Sequence, residues 1–348
     1  MKAQGKFIRL GGTHNEAWRM VVESIAIPSP APHQVLVRLS HVAQNPTDIQ
    51  ALDGKAFGDG AVLGCDFVGE VVELGSAVTR FAKGDVVAAL IWGGEIPGLG
   101  GYSHYTLADE RIAFKLPPGE VISREEASTV PLAAATAWLA LFAKGCLDID
   151  RDRGQGRSVL VWGGSPSVGL YTIQLASLYG FEVVATCSPH HTDLVRASGA
   201  AHVFDYRDVD VVDKIRAVAP SLQYVFDTIG NETSSVIASR AVQAGGNVCT
   251  VRPGTTYSEN VAPGVQVRSV LVFTAFLKDH SYGPHTWPAS QEDHELASEF
   301  FDLVSDLLAS GKMKPSRPKV LGVLEVVSEG FQEYRDGKIS GYKIVYRI

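Results

Sequence analysis

The stretch VLVWGGSPSVG at 159–169 decides the fold. Its first four residues form an unbroken apolar run, which reads as a strand buried on both faces. Two glycines, Ser165 and Pro166 follow, and then an apolar segment with helical spacing that ends at Gly180. Strand, glycine turn and helix in direct succession aim free backbone N–H groups and the positive end of the helix at one point, a geometry suited to a pyrophosphate. Ser165 reads as the N-cap and Pro166 as the first helical residue. Gly169 lets the helix approach the sheet. The middle glycine of the usual GxGxxG pattern is Pro166 here, which has no N–H to offer.

Outward from this stretch the chain alternates. EVVATC at 182–187, HVFDY, LQYVFDTIG, NVCTVRP and VQVRSVLVF are strand-like. Between them lie TDLVRASG, VDVVDKIRAVA and a helix near 233–244. Six strands with intervening helices over 156–275 predict an α/β fold with a doubly wound parallel sheet. Residues 1–115 differ. QVLVRLSHVA at 34–43 is a half-buried strand, and VLGCDFVGEVVELGSAVTRFAKGDVVAALI at 62–91 reads strand, glycine turn, strand. No helical period runs long enough there to matter, and a small, partly open β-barrel fits. Ser123 and Glu126 have capping-box spacing ahead of a helix over 126–145 that is interrupted at Pro131. ELASEFFDLVSDLLASG at 295–311 is an amphipathic helix with a glycine stop, and YKIVYRI is a final strand.

Composition sets the outer bounds. The chain has 348 residues, 45% of them hydrophobic and 20% charged, with a net charge of −7. That is ordinary globular composition with chain enough for two domains. A mildly acidic chain with no run of six like charges lacks a nucleic-acid footprint. The longest apolar run, VPLAAATAWLALFA at 130–143, is shorter than the roughly 20 residues of a membrane span. No secretory h-region is visible, and Cys65, Cys146, Cys187 and Cys249 form no CxxC spacing. Reduced core thiols and a cytoplasmic setting are expected, without a structural zinc.

The end of the second nucleotide-domain strand bears on the cofactor. It reads Ala185-Thr186-Cys187-Ser188-Pro189-His190-His191, with no acid before Asp193. A carboxylate there would hold the ribose hydroxyls of NAD. Hydroxyl and imidazole donors favour a 2′-phosphate, so NADPH is expected; the plainer alternative is that Ser188 and Pro189 only cap the next helix. Tyr206, after the third strand, is either a wall for the adenosine end or a plain surface tyrosine. Arg196 and Arg207 are nearby cations.

VLVWGGSPSVG, the helix at 130–142, LGCDFVGEVVELGSAVTRFAKGDVV at 63–87 and NPTD at 45–48 resemble the medium-chain dehydrogenase/reductases, in order and over nearly the full chain. The resemblance implies a nucleotide-binding domain, 126–275, inserted in a GroES-like barrel, 1–125 and 276–348. The zinc branch of that family is excluded by its ligands. Its metal-binding Cys is replaced within Asn45-Pro46-Thr47-Asp48, its His-Glu pair by Cys65-Asp66, and its four-Cys lobe is missing. The zinc-free branch contains quinone and enoyl reductases. Within it the chain is most similar to the fungal trans-acting enoyl reductases of iterative polyketide synthases. ATCSPHH at 185–191 matches their ATCSPHN, GAAHVFDYR at 199–207 their GAEEVFDYR, and GKISGYKIV at 337–345 their GELSGEKLV. Thr286-Trp287-Pro288, in an insertion before the last long helix, recurs there as well.

The resemblance implies reduction of an α,β-unsaturated acyl thioester by NADPH, in secondary-metabolite biosynthesis. The partner would be the acyl carrier domain of a polyketide synthase, or of a synthase–peptide synthetase hybrid. It places Asn45, Pro46, Thr47 and Asp48 near the nicotinamide, and Thr250, Val251, Ile339 and Ser340 against the same half of the cofactor. Ser165, Pro166, Ser167 and Val168 fall to the pyrophosphate, and Ser188, Pro189, His190, His191 and Tyr206 to the 2′-phosphate. The substrate pocket would be lined by Pro131, Leu132, Ala133, Ala134, Ala135, Thr136, Ala137 and Trp138 on a helix and by Val270, Leu271, Val272, Phe273 and Thr274 on a strand. The Ala-rich face leaves room for a bulky chain or simply packs closely. Thr136 and solvent are the candidate proton donors, since Gln50 stands where a relative has Lys. A quinone or alkenal reductase and a catalytically silent NADPH-binding protein are the alternatives. A monomer is expected, because the insertion with Pro284 and Pro288 can fold over the edge strand at 265–273 through which many relatives dimerise.

Overall fold

The computed structural model describes residues 4–11, 19–282 and 284–348. The chain divides into two compact units, one running up to Leu132 and resuming at Phe301–Ile348, the other Ala133–Phe300. The divisions lie inside two helices, Pro131–Phe142 and Gln291–Ala309. The expected boundaries at 125/126 and 275/276 therefore shift to 132/133 and 300/301. Sequence reading looks for boundaries in turns, and here continuous helices carry the chain from one unit to the other.

The first unit is built on a seven-stranded sheet. Its order is Pro318–Val323, Lys343–Arg347, Gln34–Ala43, Asp66–Leu74, Val86–Leu90 and Ala113–Lys115, with Tyr105–Asp109 paired to the first half of Gln34–Ala43. Only the Pro318–Val323 pairing is parallel. Val35, Val37, Phe67, Val71, Val87 and Ala89 point into one apolar core, as period-two alternation requires. A separate antiparallel hairpin joins Gln4–Gly11 to Arg19–Ala26. A short helix at Pro46–Asp53, too brief to show as a long helical period in the sequence, interrupts the strands. Pro46 suits a first helical position, and the Asp48 carboxylate reaches back 2.8 Å to the Asn45 N–H.

The second unit holds the six-stranded parallel sheet, in the order His202–Asp205, Glu182–Cys187, Ser158–Trp162, Tyr224–Asp227, Asn247–Thr250, Gln266–Ser269. This is the doubly wound order, whose switch point lies at the C-terminal end of Ser158–Trp162. The chain enters the helix Ser167–Leu178 from that end. The segment Val270–Thr274 is not strand. The ladder stops at Ser269, and Val272–Ala275 forms a 3₁₀ turn. An apolar run sets burial but not conformation, so VLVF packs its side chains equally well from a turn.

The insertion forms its own short hairpin, His280–Tyr282 with His285–Trp287, rather than a seventh strand. It lies back on its unit. A Cβ on Gly254, which has φ +66°, would meet the His285 ring at 2.2 Å. Trp287 and Arg268 share the wall of one cavity at the sheet edge. Among the described residues no helix is long and apolar enough to cross a membrane.

Candidate active site

In the barrel unit the candidate residues gather around two buried carboxylates. Asp66, the first residue of its strand, is fully buried. It accepts hydrogen bonds from Asn45 Nδ2 at 2.9 Å, from the Leu132 backbone N–H at 2.5 Å, and from Lys343 Nζ. Lys343 is itself buried, and its ammonium also donates to the Thr129 carbonyl at 3.4 Å. Asp48 is buried beside this cluster and accepts from the Asn45 N–H, from the Gly64 N–H at 3.1 Å, from the Tyr102 hydroxyl at 3.0 Å and from the Cys65 thiol at 3.5 Å. Burial pushes the Asp48 carboxyl up to about 6, against the pull of those donors. Burial, reinforced by the charge of Asp48, pushes the Tyr102 hydroxyl and the Cys65 thiol well above their usual ranges. Within Asn45–Asp48, then, Asn45 and Asp48 are internal supports, while Pro46 is exposed and Thr47 half-buried. Ile339 is half-buried and Ser340 exposed in the turn that leads to the last strand.

In the sheet unit the glycine turn is fastened from two sides. Gly163, at φ +90°, donates its N–H to Thr186 Oγ1 at 3.1 Å, and Gly164 donates to the Thr186 carbonyl at 2.7 Å. The Gly163 carbonyl accepts from Thr228 Oγ1 at 2.6 Å. A Cβ on Gly169 would lie 2.1 Å from that same carbonyl, so only glycine lets the helix start so close to the turn. Pro166, not Ser165, is the N-cap, with ψ 156° and no side-chain cap bond. Proline also disfavours helical geometry at the residue before it, which keeps Ser165 outside the helix. The first helical bond runs from the Leu170 N–H to the Pro166 carbonyl at 2.9 Å. The N–H groups of Ser167, Val168 and Gly169 therefore have no acceptor within the helix and face its positive end. This cradle fits a pyrophosphate.

Parallel register sets Cys187 beside Asp205, so Ser188 and Tyr206 leave neighbouring strands side by side. Ser188 and His191 are half-buried, and Pro189, His190 and Tyr206 are exposed. The His190 and His191 rings lie 4.0 Å apart. Arg207 sits 5.5 Å over the Tyr206 ring and pairs with Asp205. No carboxylate ends the second strand, although Asp205 ends its neighbour. Thr250 is buried, with Val251 half-buried after it, at the end of the fifth strand.

The helix residues Ala133, Ala134, Ala135 and Ala137 are all closed to solvent, and Thr136 is 7% exposed. Trp138 is placed in the core. Its indole N–H donates to the Leu296 carbonyl at 2.9 Å, and its ring meets Phe142 and Phe300 with centroids 4.7 and 5.2 Å away. Val270, Leu271 and Thr274 share a cavity of about 270 Å³ with Leu139, Cys146 and Trp287. Sequence reasoning missed Asp227, which ends the fourth strand fully buried. It accepts from the N–H groups of Ile229 and Gly230 and, at 2.6 Å each, from the Ser234 and Ser235 hydroxyls. An acid at a strand end followed by two adjacent serines was the available signal.

Comparison with known proteins agrees with this fold. Residues 31–118 match the model of the alcohol dehydrogenase GroES-like domain, and residues 167–292 that of the zinc-binding dehydrogenase domain. The chain is 35% identical to the trans-enoyl reductase ACTTS2 of Alternaria alternata, over 94% of this chain and 95% of that one. The chain belongs to the medium-chain dehydrogenase/reductase family, in its trans-enoyl reductase group. This family member is also 31% identical to the enoyl reductase component of the lovastatin nonaketide synthase of Aspergillus terreus, over 90% of this chain and 89% of that one. A solved alcohol dehydrogenase superfamily protein of Novosphingobium aromaticivorans shares the fold, with a TM-score of 0.80, 25% identity and coverage of 99% of this chain and 100% of that one. The family implies a nicotinamide cofactor, and the cradle at Gly163–Gly169 fits one.

The family also contains zinc enzymes, and this donor set does not fit that metal. The oxygens of Asp66 are committed to an ammonium, an amide and a backbone N–H, and the neighbouring Cys65 thiol is held protonated. A zinc ligand of either kind must be deprotonated and free to coordinate. Among the described residues no three His, Cys, Asp or Glu side chains converge as ligands.

The raised Asp48 carboxyl makes a pH prediction with a definite sign. A carboxyl that binds its proton more tightly folded than unfolded contributes stability at low pH and loses that contribution as pH rises from about 4 to about 6. Asp48→Asn removes the titration. The stability advantage of the native chain over this variant should shrink by roughly 2 kcal/mol between pH 4.5 and pH 7, read from urea unfolding curves. An advantage that widens with pH would contradict this account of the site.

Proposed function

We propose that this protein is a trans-acting enoyl reductase that reduces the α,β-double bond of a polyketide acyl thioester with NADPH, in secondary-metabolite biosynthesis in the cytosol. The observation that carries the reading is its likeness, over nearly the whole chain, to reductases of that kind. When bound, the cofactor supplies a hydride to the β-carbon of the enoyl thioester. The chain's own residues bind, orient and exclude water. The N–H groups of Ser167 and Val168, with Ser165 beside them, take the pyrophosphate. Ser188, His190, His191 and Tyr206 take the 2′-phosphate, with Pro189 shaping the turn. Pro46, Thr47, Thr250, Val251, Ile339 and Ser340 bound the nicotinamide half, on the framework of Asn45 and Asp48. Pro131–Ala137 and Val270–Thr274 meet the acyl chain. The Thr136 hydroxyl, or water, delivers the proton to the α-carbon. The substrate comes from the acyl carrier domain of a polyketide synthase, whether or not that synthase is fused to a peptide synthetase.

The test is NADPH consumption with a carrier-bound enoyl chain, its pantetheine thioester and small quinones. The carrier-bound chain should turn over fastest; faster reduction of quinones would select a small-molecule reductase instead. The native protein should prefer NADPH to NADH at least tenfold. Ser188→Asp should reverse or erase that preference by setting a carboxylate against the 2′-phosphate, and equal use of both cofactors by the native protein would refute the assignment.

We also propose a monomer. The edge strand Gln266–Ser269 is only four residues long, and the hairpin beside it packs back on its own unit at Gly254. A ladder of that length offers little for joining two sheets. Light scattering at micromolar concentration should return a mass near 37.3 kDa; twice that would show an open edge.

A further inference from the structure

Asp66 joins chain segments that are far apart in sequence. Asn45 opens the helix Pro46–Asp53, Leu132 is the second residue of the helix Pro131–Phe142, and Lys343 opens the last strand, three residues past Ser340. One carboxylate bonds all three, and the ammonium it holds adds the Thr129 carbonyl at the end of the helix Arg124–Ser128. Every member is buried, and the ion pair lies 277 positions apart in the chain. A buried ion pair is a costly way to gain stability, since well-packed apolar residues of the same volume do as well or better. What it gives that apolar packing does not is direction, because each donor must sit on a fixed lone pair. The segments so directed are those that the proposed function sets around the nicotinamide and the acyl chain.

We propose that Asp66, paired with Lys343, is a positioning residue for hydride transfer, fixing the starts of the Asn45–Asp48 and Pro131–Ala137 segments and the end of the Ile339–Ser340 turn. This inference rests on the reductase reading. Asp66 touches neither cofactor nor substrate on that reading. Its effect runs through Asn45, Leu132 and Lys343, so its loss should disturb alignment in the reacting complex more than binding. Misalignment of reacting atoms by a fraction of an ångström slows the chemical step without requiring weaker ground-state affinity.

The test compares the native protein with D66N/K343M, which removes both charges together and leaves no unpaired ion. NADPH affinity by fluorescence, unfolding temperature, and kcat and KM are measured, with kcat repeated using NADPH deuterated at the transferred position. The folded double variant should bind NADPH within about threefold of native, while kcat falls at least tenfold and its isotope effect rises. Lys343→Arg keeps the charge and moves the donors, so it is the second variant if the first does not fold, and it should show the same kcat loss. A folded variant of either kind with native kcat and an unchanged isotope effect would reduce Asp66 to a structural role and overturn the proposal. The assay uses whichever acceptor the native protein reduces. Native turnover of quinones without any thioester would defeat the reductase reading while still testing Asp66.

Discussion

The barrel unit depends on a single buried carboxylate. Asp66 must find three donors inside the protein, because an ionised carboxylate stripped of water is costly unless its lone pairs are met. It finds them on a loop, a helix start and the last strand, and those three are thereby held in register. The positive charge that balances it is the ammonium of Lys343. The second carboxylate, Asp48, is met mostly by weaker neutral donors, and burial wins there, so its proton is held more tightly.

The sheet unit solves a different problem, that of keeping a backbone turn open. The turn after Ser158–Trp162 is tied down by its neighbours, and the helix start that follows it keeps the N–H groups of Ser167, Val168 and Gly169 open. Thr186 and Thr228 take up the groups that would otherwise stray, one on a neighbouring strand and one just past the end of the other. Asp227 organises the next loop in the same way, collecting two N–H groups and two hydroxyls. Pro166 as N-cap contributes no side-chain oxygen that would compete with a bound phosphate. The cradle is therefore held in shape by the protein's own groups, which on the proposed reading spares the ordering cost of binding a phosphate.

Legibility in the sequence followed the range of the interaction. The strand Gln34–Ala43 has the bounds its alternation suggested, and each of the six parallel strands lies within a segment read as a strand, the last of them stopping at Ser269. Capping at Ser123–Glu126 is local chemistry and was readable. The helix Pro46–Asp53 was missed because its apolar face is only two or three residues wide, although the Asn45–Asp48 spacing carried the signal. Val270–Thr274 misled because an apolar run is common to strand and buried turn. The Asp66–Lys343 pair had no local signature at all. Nothing within ten residues of either predicts the other, and only the sheet brings them together: the last strand pairs with Gln34–Ala43, which pairs in turn with the strand that Asp66 opens.

The central claim is that a hydride leaves the nicotinamide for the β-carbon of a carrier-bound enoyl chain. The most direct measurement uses NADPH deuterated at either face of C4, with mass spectrometry and NMR of the chain released from the carrier domain. One deuterium at the β-carbon, from one face only and with none at the α-carbon, is the predicted result. A reduced chain without deuterium at the β-carbon, or oxidation of NADPH with the double bond left intact, would contradict the account.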